Sequence, residues 1–210
     1  MKVIGLTGPS GAGKGICDEY FRSIGIPCID TDAVYHELLL PPSRCVRELA
    51  DRFGHNILHS DGALDRQKLA FIVFSDQSGH SANDLNTITH KYVKKKTLAL
   101  LDALRKEGKA AAVVDAPLLF EASFDLFCDF TIAVLATQEL RLSRIMERDT
   151  LSREKAVLRL NAQKEDSFYR TRATYTLCNN GKKEELYPSL SHILTKENVP
   201  FDTQNKGELL

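Results

Sequence analysis

Net charge is missing from this chain: 28 basic residues balance 28 acidic ones over 210 positions. No electrostatic attraction therefore draws it to nucleic acid or to an anionic membrane. No apolar run approaches the length of a membrane span. The start, Met1-Lys2-Val3, carries neither the apolar stretch nor the cleavage site of a signal peptide, so a cytoplasmic location is expected. Cysteine is sparse: five residues, at 17, 28, 45, 128 and 178, are odd in number and show no C-x-x-C spacing. That pattern suggests neither a disulfide framework nor a zinc site, and the thiols are expected to be reduced and structural. Internal repeats and low-complexity segments are lacking as well. With 43% apolar residues the chain can bury a full core, and its length suits one α/β domain with helical insertions.

What is present begins at once. In Val3-Ile-Gly-Leu-Thr-Gly-Pro-Ser-Gly-Ala-Gly-Lys-Gly15, the segment Gly8 to Gly15 fits the phosphate-binding pattern G-x-x-x-x-G-K-[ST] in all but its last position. Val3, Ile4 and Leu6 form an apolar run of buried-strand type, and Gly15 to Ser23 is helix-compatible, so the glycines fall where a strand turns into a helix. Gly8, Gly11 and Gly13 permit backbone angles and close approaches that let consecutive N–H groups nest phosphate oxygens. The helix adds its positive N-terminal end, and Lys14 a full charge against the terminal phosphates. The stretch predicts a user of nucleoside triphosphates.

Pro27 to Ile29 reads as a second strand, with Asp30 and Asp32 at its exit. Asp32 suits either a catalytic carboxylate at the ligand-binding edge of a sheet or the cap of a helix carrying Val34, Leu38 and Leu39 before Pro41-Pro42. His36 follows Asp32 by one helical turn, to share its ligand or hydrogen-bond to it. Residues 43 to 110 read as mostly helical, with a turn at Asp61-Gly62, a helix capped by Asp65, a polar loop from Ser75 to Asn83, and a long helix from Asp84 to a stop at Gly108. Lys91 and Lys94 to Lys96 form a solvated face, or one that attracts a polyphosphate. His55 and His59 have the spacing of a helical metal pair, without supporting carboxylates or cysteines.

The sheet resumes at Ala110 to Val114 and ends in Asp115, placed either to hold a magnesium shell beside the loop strand or to form a turn ahead of Pro117. Phe130 to Leu135 is a fourth strand. Thr137 is expected to cap a helix on which Arg141, Arg144 and Arg148 share one face, and a second helix from Ser152 to about Lys164 carries Arg153 and Arg159. Guanidinium forks suit phosphate, so the pair reads as a lid; Glu147, Asp149 and Glu154 also permit plain surface ion pairs. A fifth strand at Thr174 to Leu177, a turn at Asn179-Asn-Gly181, a helix from Lys183 to about Leu194 and a loose tail after Asn198 finish the chain. The predicted architecture is α/β, a P-loop NTPase fold: a parallel sheet of five strands in the order 2-3-1-4-5 with helices on both faces. One domain spans 1–210, with a core of 1–38, 108–137 and 173–210, a helical insertion at about 39–107, to which the resemblance described next assigns acceptor binding, and a helical lid at about 138–172.

Together these residues resemble the dephospho-CoA kinase family. The likeness rests on the loop Gly8 to Gly15, Asp30-x-Asp32-x-x-x-His36, Asp61-Gly-x-Leu64 with Leu69, Leu85-Asn86 with His90, Pro117-Leu-Leu-Phe-Glu121, Arg148-Asp149, Arg159 with Gln163, and Asn179-Asn-Gly181, in the family's order from residue 3 to about 181. The resemblance implies transfer of the ATP γ-phosphate to the ribose 3′-hydroxyl of dephospho-CoA, the last step of coenzyme A synthesis. It makes Asp32 the general base, and puts the β and γ phosphates on Lys14 and the loop from Ser10 through Gly11, Ala12, Gly13 and Gly15 to Ile16. Arg141 and Arg148 would neutralise the transferring group. Asp32, His36, His90, Leu118, Leu119, Phe120 and Glu121 would meet the acceptor. Mg²⁺ would accompany ATP, held through water by Asp115 and Asp32. ATP and dephospho-CoA are the partners expected, without nucleic acid or membrane.

The chain departs from the family pattern where Gly15-Ile16 replaces the usual Ser-Thr and removes a magnesium-binding hydroxyl, and where Cys178 replaces a common acidic residue. Another nucleotide kinase would share the loop but not the elements at 30–38 and 115–121. A GTP switch needs N-K-x-D after a strand, and Asn205-Lys-Gly-Glu208 is the only near match. A nucleotide-binding protein without catalysis is the third alternative, suggested by Gly15 and Ile16.

Overall fold

The computed structural model describes residues 1–201. Its sheet is β1 (Lys2–Thr7), β2 (Cys28–Asp30), β3 (Ala111–Asp115), β4 (Phe130–Leu135) and β5 (Tyr175–Cys178), in the order β2-β3-β1-β4-β5. The pairings of β1 with β3 and β4, and of β4 with β5, are parallel, with Leu6 opposite Asp115, Thr7 opposite Ala133 and Leu135 opposite Cys178. The predicted fold class and strand order hold, and strand limits shift by one or two residues at most.

The helices are α1 (Lys14–Ser23), α2 (Thr31–Leu38), α3 (Arg44–Phe53), α4 (Arg66–Ser75), α5 (His80–Lys106), α6 (Gln138–Asp149), α7 (Arg153–Asn161), α8 (Asp166–Arg170) and α9 (Leu186–Lys196). No helix among the described residues is long and apolar enough to cross a membrane. The chain divides into two compact units, one of Asp30–Asp102, the other of Met1–Ile29 with the chain from Ala103 onward.

In the sheet unit, the period of two along each strand sends side chains to both faces. Ile4 and Leu6 of β1, Val113 of β3 and Ile132 and Val134 of β4 pack on one side with Cys17 and Phe21 of α1 and Leu190, Ile193 and Leu194 of α9. Ala133 and Leu135 turn the other way and meet Tyr169 of α8, with Phe120 and Phe168 beside them. Both faces are covered, as a parallel sheet requires. The helix α8 falls within the helical lid expected at about 138–172, but as a separate short helix past the one expected to end near Lys164. The tail expected after Asn198 is packed at its start: Val199 is buried in the main core. From residue 202 on, with Asn205 to Glu208, it lies outside the described residues.

The helical unit has its own core, in which Val46, Leu49 and Ala50 of α3 meet Ile57 of a 3₁₀ turn, Leu69 and Val73 of α4, and Ile88 of α5. Asp65 caps α4 as expected, accepting from the N–H groups of Gln67 and Lys68. The polar loop is shorter than Ser75 to Asn83, because Asp76 accepts from the N–H groups of Ser78 (2.9 Å) and Ser81 (2.8 Å) and starts α5 at His80. The Ser78 hydroxyl, which also donates to Asp76, and after it these N–H groups hold the Asp76 carboxyl below the usual range. Lys91 is bound by Glu48 (2.5 Å) and Lys96 by Glu37 (2.9 Å), both exposed pairs. His55 lies in a 3₁₀ turn and His59 beyond it, so their spacing is not that of one helical face.

All five cysteines are free. Burial pushes the thiols of Cys17 and Cys128 up to about 12 and that of Cys45 to about 11, so they stay neutral and inert. Cys178 is the correction to the structural reading: it is exposed, with its Sγ 3.7 Å from a guanidinium nitrogen of Arg170.

Candidate active site

The loop from Gly8 to Gly13 takes the conformation its glycines permit. Gly8, Gly11 and Gly13 have φ of 143°, 78° and 98°. A Cβ on Gly8 would lie 2.1 Å from the carbonyl oxygen of Val134, and one on Gly11 2.6 Å from that of Arg141. The loop thus presses against β4 and α6 with no room for a side chain. Lys14 opens α1 directly after it, and its ammonium lies 3.9 Å from Oδ1 of Asp115, both side chains about 15% exposed. Asp115 ends β3 opposite Leu6 of β1, so the carboxylate stands on the strand next to the one that bears the loop. Gly15 is exposed within α1, while the Ile16 side chain packs on the main core.

The three arginines of α6 share one face, as their spacing predicts, and all three reach the loop. Arg141 donates from Nε to the carbonyl of Ser10 (3.1 Å) and from Nη2 to Oε1 of Gln163 (3.0 Å), which also accepts from the Ser10 N–H (2.7 Å). Asp166 lies 3.9 Å away, and the Arg141 side chain is only 7% exposed. Burial lowers its pKa, partly offset by Asp166. Arg144 donates to the carbonyls of Gly11 (3.3 Å) and Asn179 (3.2 Å). Arg148, 57% exposed, donates to Oγ of Ser10 (3.2 Å) and is clamped by Asp149, which also binds Arg159 of α7 (2.7 Å). The Arg148 hydrogen bond holds the Asp149 carboxyl below its usual range and raises the guanidinium's own pKa. The ion pairs expected of Asp149 and the arginine row against the loop are therefore parts of one arrangement.

Thr137 stands at the cap of α6, but its side chain makes no cap bond; its N–H is instead held by Oδ1 of Asn180 (2.9 Å). Asn179 is buried and donates from Nδ2 to the carbonyl of Ala12 (2.8 Å). The local physics of Asn179, Arg144 and Gln163 escaped the sequence reading, although Asn179 and Gln163 stood among the residues of the resemblance. A cavity of about 580 Å³ opens beside this arrangement, lined by Thr137, Gln138, Arg141, Gln163, Lys164 and Asp166.

Around Asp32 the structure corrects the capping alternative. Asp30 caps α2, accepting from the N–H groups of Asp32 (2.8 Å) and Ala33 (3.2 Å). Asp32 and His36 are both exposed on α2, and His90 is half-buried on α5. In the segment 117–121, Leu118 and Glu121 are exposed and Phe120 is partly so. Leu119 has no exposed surface and lies beneath Gly5, so it anchors this turn from below and cannot meet an acceptor.

A parallel sheet in this order, with a glycine loop, its lysine and a strand-end aspartate on the neighbouring strand, defines a P-loop kinase. The comparisons carry this to a family: a sequence model of the dephospho-CoA kinase family matches residues 2–185. A dephospho-CoA kinase of Lactobacillus johnsonii is 34% identical over 191 residues, 91% of this chain and 96% of that protein. Among solved structures, TT1252 from Thermus thermophilus superposes with a TM-score of 0.75 at 32% identity, covering 93% of this chain and 97% of that one. Dephospho-CoA kinase from Campylobacter jejuni does so with a TM-score of 0.67 at 27% identity, covering 94% and 98%. The chain belongs to the dephospho-CoA kinase family and is a transferase.

Proposed function

We propose that the protein transfers the γ-phosphate of ATP to the ribose 3′-hydroxyl of dephospho-CoA, giving coenzyme A and ADP in the cytoplasm. The observation that carries the reading is the glycine cradle with Lys14 at its mouth, in a chain matched by the family over residues 2–185. The loop N–H groups and Lys14 bind and orient the β and γ phosphates. Asp32 accepts the proton of the acceptor hydroxyl. Arg148, whose side chain is largely exposed, is the lid arginine for the transferring group, whereas the enclosed Arg141 acts by holding the loop. His36, His90, Leu118, Phe120 and Glu121 orient the acceptor.

Among the described residues no group of three or more His, Cys, Asp or Glu is placed to hold a metal. The Asp115 carboxylate, on the strand beside the loop, is an oxygen donor of the kind magnesium takes, and Asp115 and Asp32 would each reach the ion through water. When bound it supplies positive charge against the phosphate oxygens.

Release of ADP with dephospho-CoA, AMP, CMP and pantothenate as acceptors tests the assignment. Only dephospho-CoA is expected to support rapid turnover; equal or faster turnover with AMP or CMP would sink it.

Gly15 yields a second test. A Cβ there meets nothing within 4 Å, and the residue is helical. Gly15→Ser is expected to hold or slightly raise the thermal midpoint, since serine gains roughly 0.5 kcal/mol in helix propensity over glycine. It should also reach half-maximal rate at lower Mg²⁺ with little change in kcat, because its hydroxyl can replace one water of the ion. Equal half-saturation would show that position 15 does not face the metal. An inactive wild type rescued by serine would mean that this chain has lost its chemistry.

A further inference from the structure

In a trans peptide the C=O and N–H point in opposite directions, so a donor that holds a carbonyl on the outside of a loop turns the next residue's N–H to the inside. The phosphate loop is held in this way at three successive planes, by Arg141 on the Ser10 carbonyl, Arg144 on that of Gly11 and Asn179 on that of Ala12. The Ala12 N–H is used within the loop, donating to Pro9 (3.1 Å). The plane from Ala12 to Gly13 therefore matters most, because its N–H leads directly into the lysine.

Asn179 is built to set that plane. It is 1% exposed, and a Cβ on Gly13 would lie 2.0 Å from its Nδ2. Its backbone N–H donates to Leu135 (2.7 Å), and its carbonyl accepts from both terminal nitrogens of Arg144 (3.2 Å each). Its Oδ1 is buried without a hydrogen-bond partner, so the side chain is oriented by its donor. A flipped amide would set two acceptors 2.8 Å apart, which fixes the assignment.

We propose that Asn179 is a positioning residue for the nucleotide: it turns the plane from Ala12 to Gly13 so that the Gly13 N–H faces the phosphates, and Arg144 locks Asn179 in place. The inference rests on the loop being the nucleotide site and extends that reading to residues outside the loop. A carboxylate in the same volume would repel the Ala12 carbonyl. With glycine at 13 the plane can turn over, presenting a carbonyl to the phosphates.

The test compares Asn179→Ala and Asn179→Asp by calorimetric titration with ADP, thermal unfolding, and the separate KM values for ATP and dephospho-CoA. Loss of one hydrogen bond should weaken ADP about 10-fold in the alanine variant, and the added repulsion about 100-fold or more in the aspartate variant. KM for ATP should rise in the same order and KM for dephospho-CoA should not. A merely structural residue would lower the thermal midpoint while the folded fraction bound ADP normally. That result, or aspartate binding ADP as well as alanine, overturns the proposal. Should the aspartate variant not fold, Asn179→Ala and Arg144→Ala carry the test, and wild-type ADP affinity in both overturns it. A wild type that binds ADP but leaves dephospho-CoA untouched defeats the functional reading alone, whereas one that does not bind ADP defeats both.

Discussion

Asp32→Asn is expected to lower kcat by roughly 10²-fold or more, the usual contribution of a positioned general base, while the fold is unharmed. The structure separates the two carboxylates at the start of α2. Asp30 accepts two backbone N–H groups and caps the helix, and Asp32 stands one position inside the first turn with an exposed side chain. Asparagine keeps the size and hydrogen-bonding reach of Asp32 but cannot take a proton. Asp30→Ala is the mirror experiment: it should cost about 1 kcal/mol of stability through the lost cap. Turnover per folded molecule and thermal midpoints of both variants decide the matter. If the midpoint falls for Asp32→Asn and turnover stays normal, Asp32 is structural and the base lies elsewhere.

Gly8→Ala should be the most damaging single methyl in the protein. Gly8 has φ of 143°, a region that L-residues rarely adopt, and the added Cβ would lie 2.1 Å from the backbone oxygen of Val134, in the middle of the core. Neither a side-chain rotation nor a small loop shift relieves a contact with a buried strand. The variant is expected to lose roughly 3 kcal/mol or more of stability, from backbone strain and overpacking together, and to lose ADP binding. Gly25→Ala is the control, with φ of 79° but nothing within 4 Å of its Cβ, so it should cost only about 1 to 2 kcal/mol. Urea unfolding of the two resolves strain from collision. Equal midpoints would mean that the loop can retreat from β4.

Much of this architecture could be read from local pattern. Apolar strand runs, the glycine loop and the arginine spacing each report on their own neighbourhood, and the structure repeats them almost residue for residue. The failures have a common physical origin. Asp30 and Asp32 are equally good caps by residue type, and only the exact exit of β2 decides between them. Thr137 looks like a cap, but an asparagine far along the chain supplies the bond. Leu119 looks like its neighbour Leu118 until the turn directs one side chain down onto Gly5. Asn179 forms a contact across 167 residues of chain. No local pattern encodes such a pairing; it exists only once β5 has been laid beside β4. The tight helix α8 is too short to show periodicity at all.

The arginine row on α6 also restricts how this chain can change in length. Each added residue turns everything beyond it by roughly 100° about the helix axis. A single insertion or deletion between Gln138 and Arg144 would swing Arg144 and Arg148 off the loop together, even though no arginine had been replaced. Beyond Asp149 this constraint ends. The chain leaves the helix through Thr150, at a φ of 51°, into a turn before Ser152 caps α7. Extra residues there disturb neither helix phase, so the 150–152 turn can take a change of length that α6 cannot.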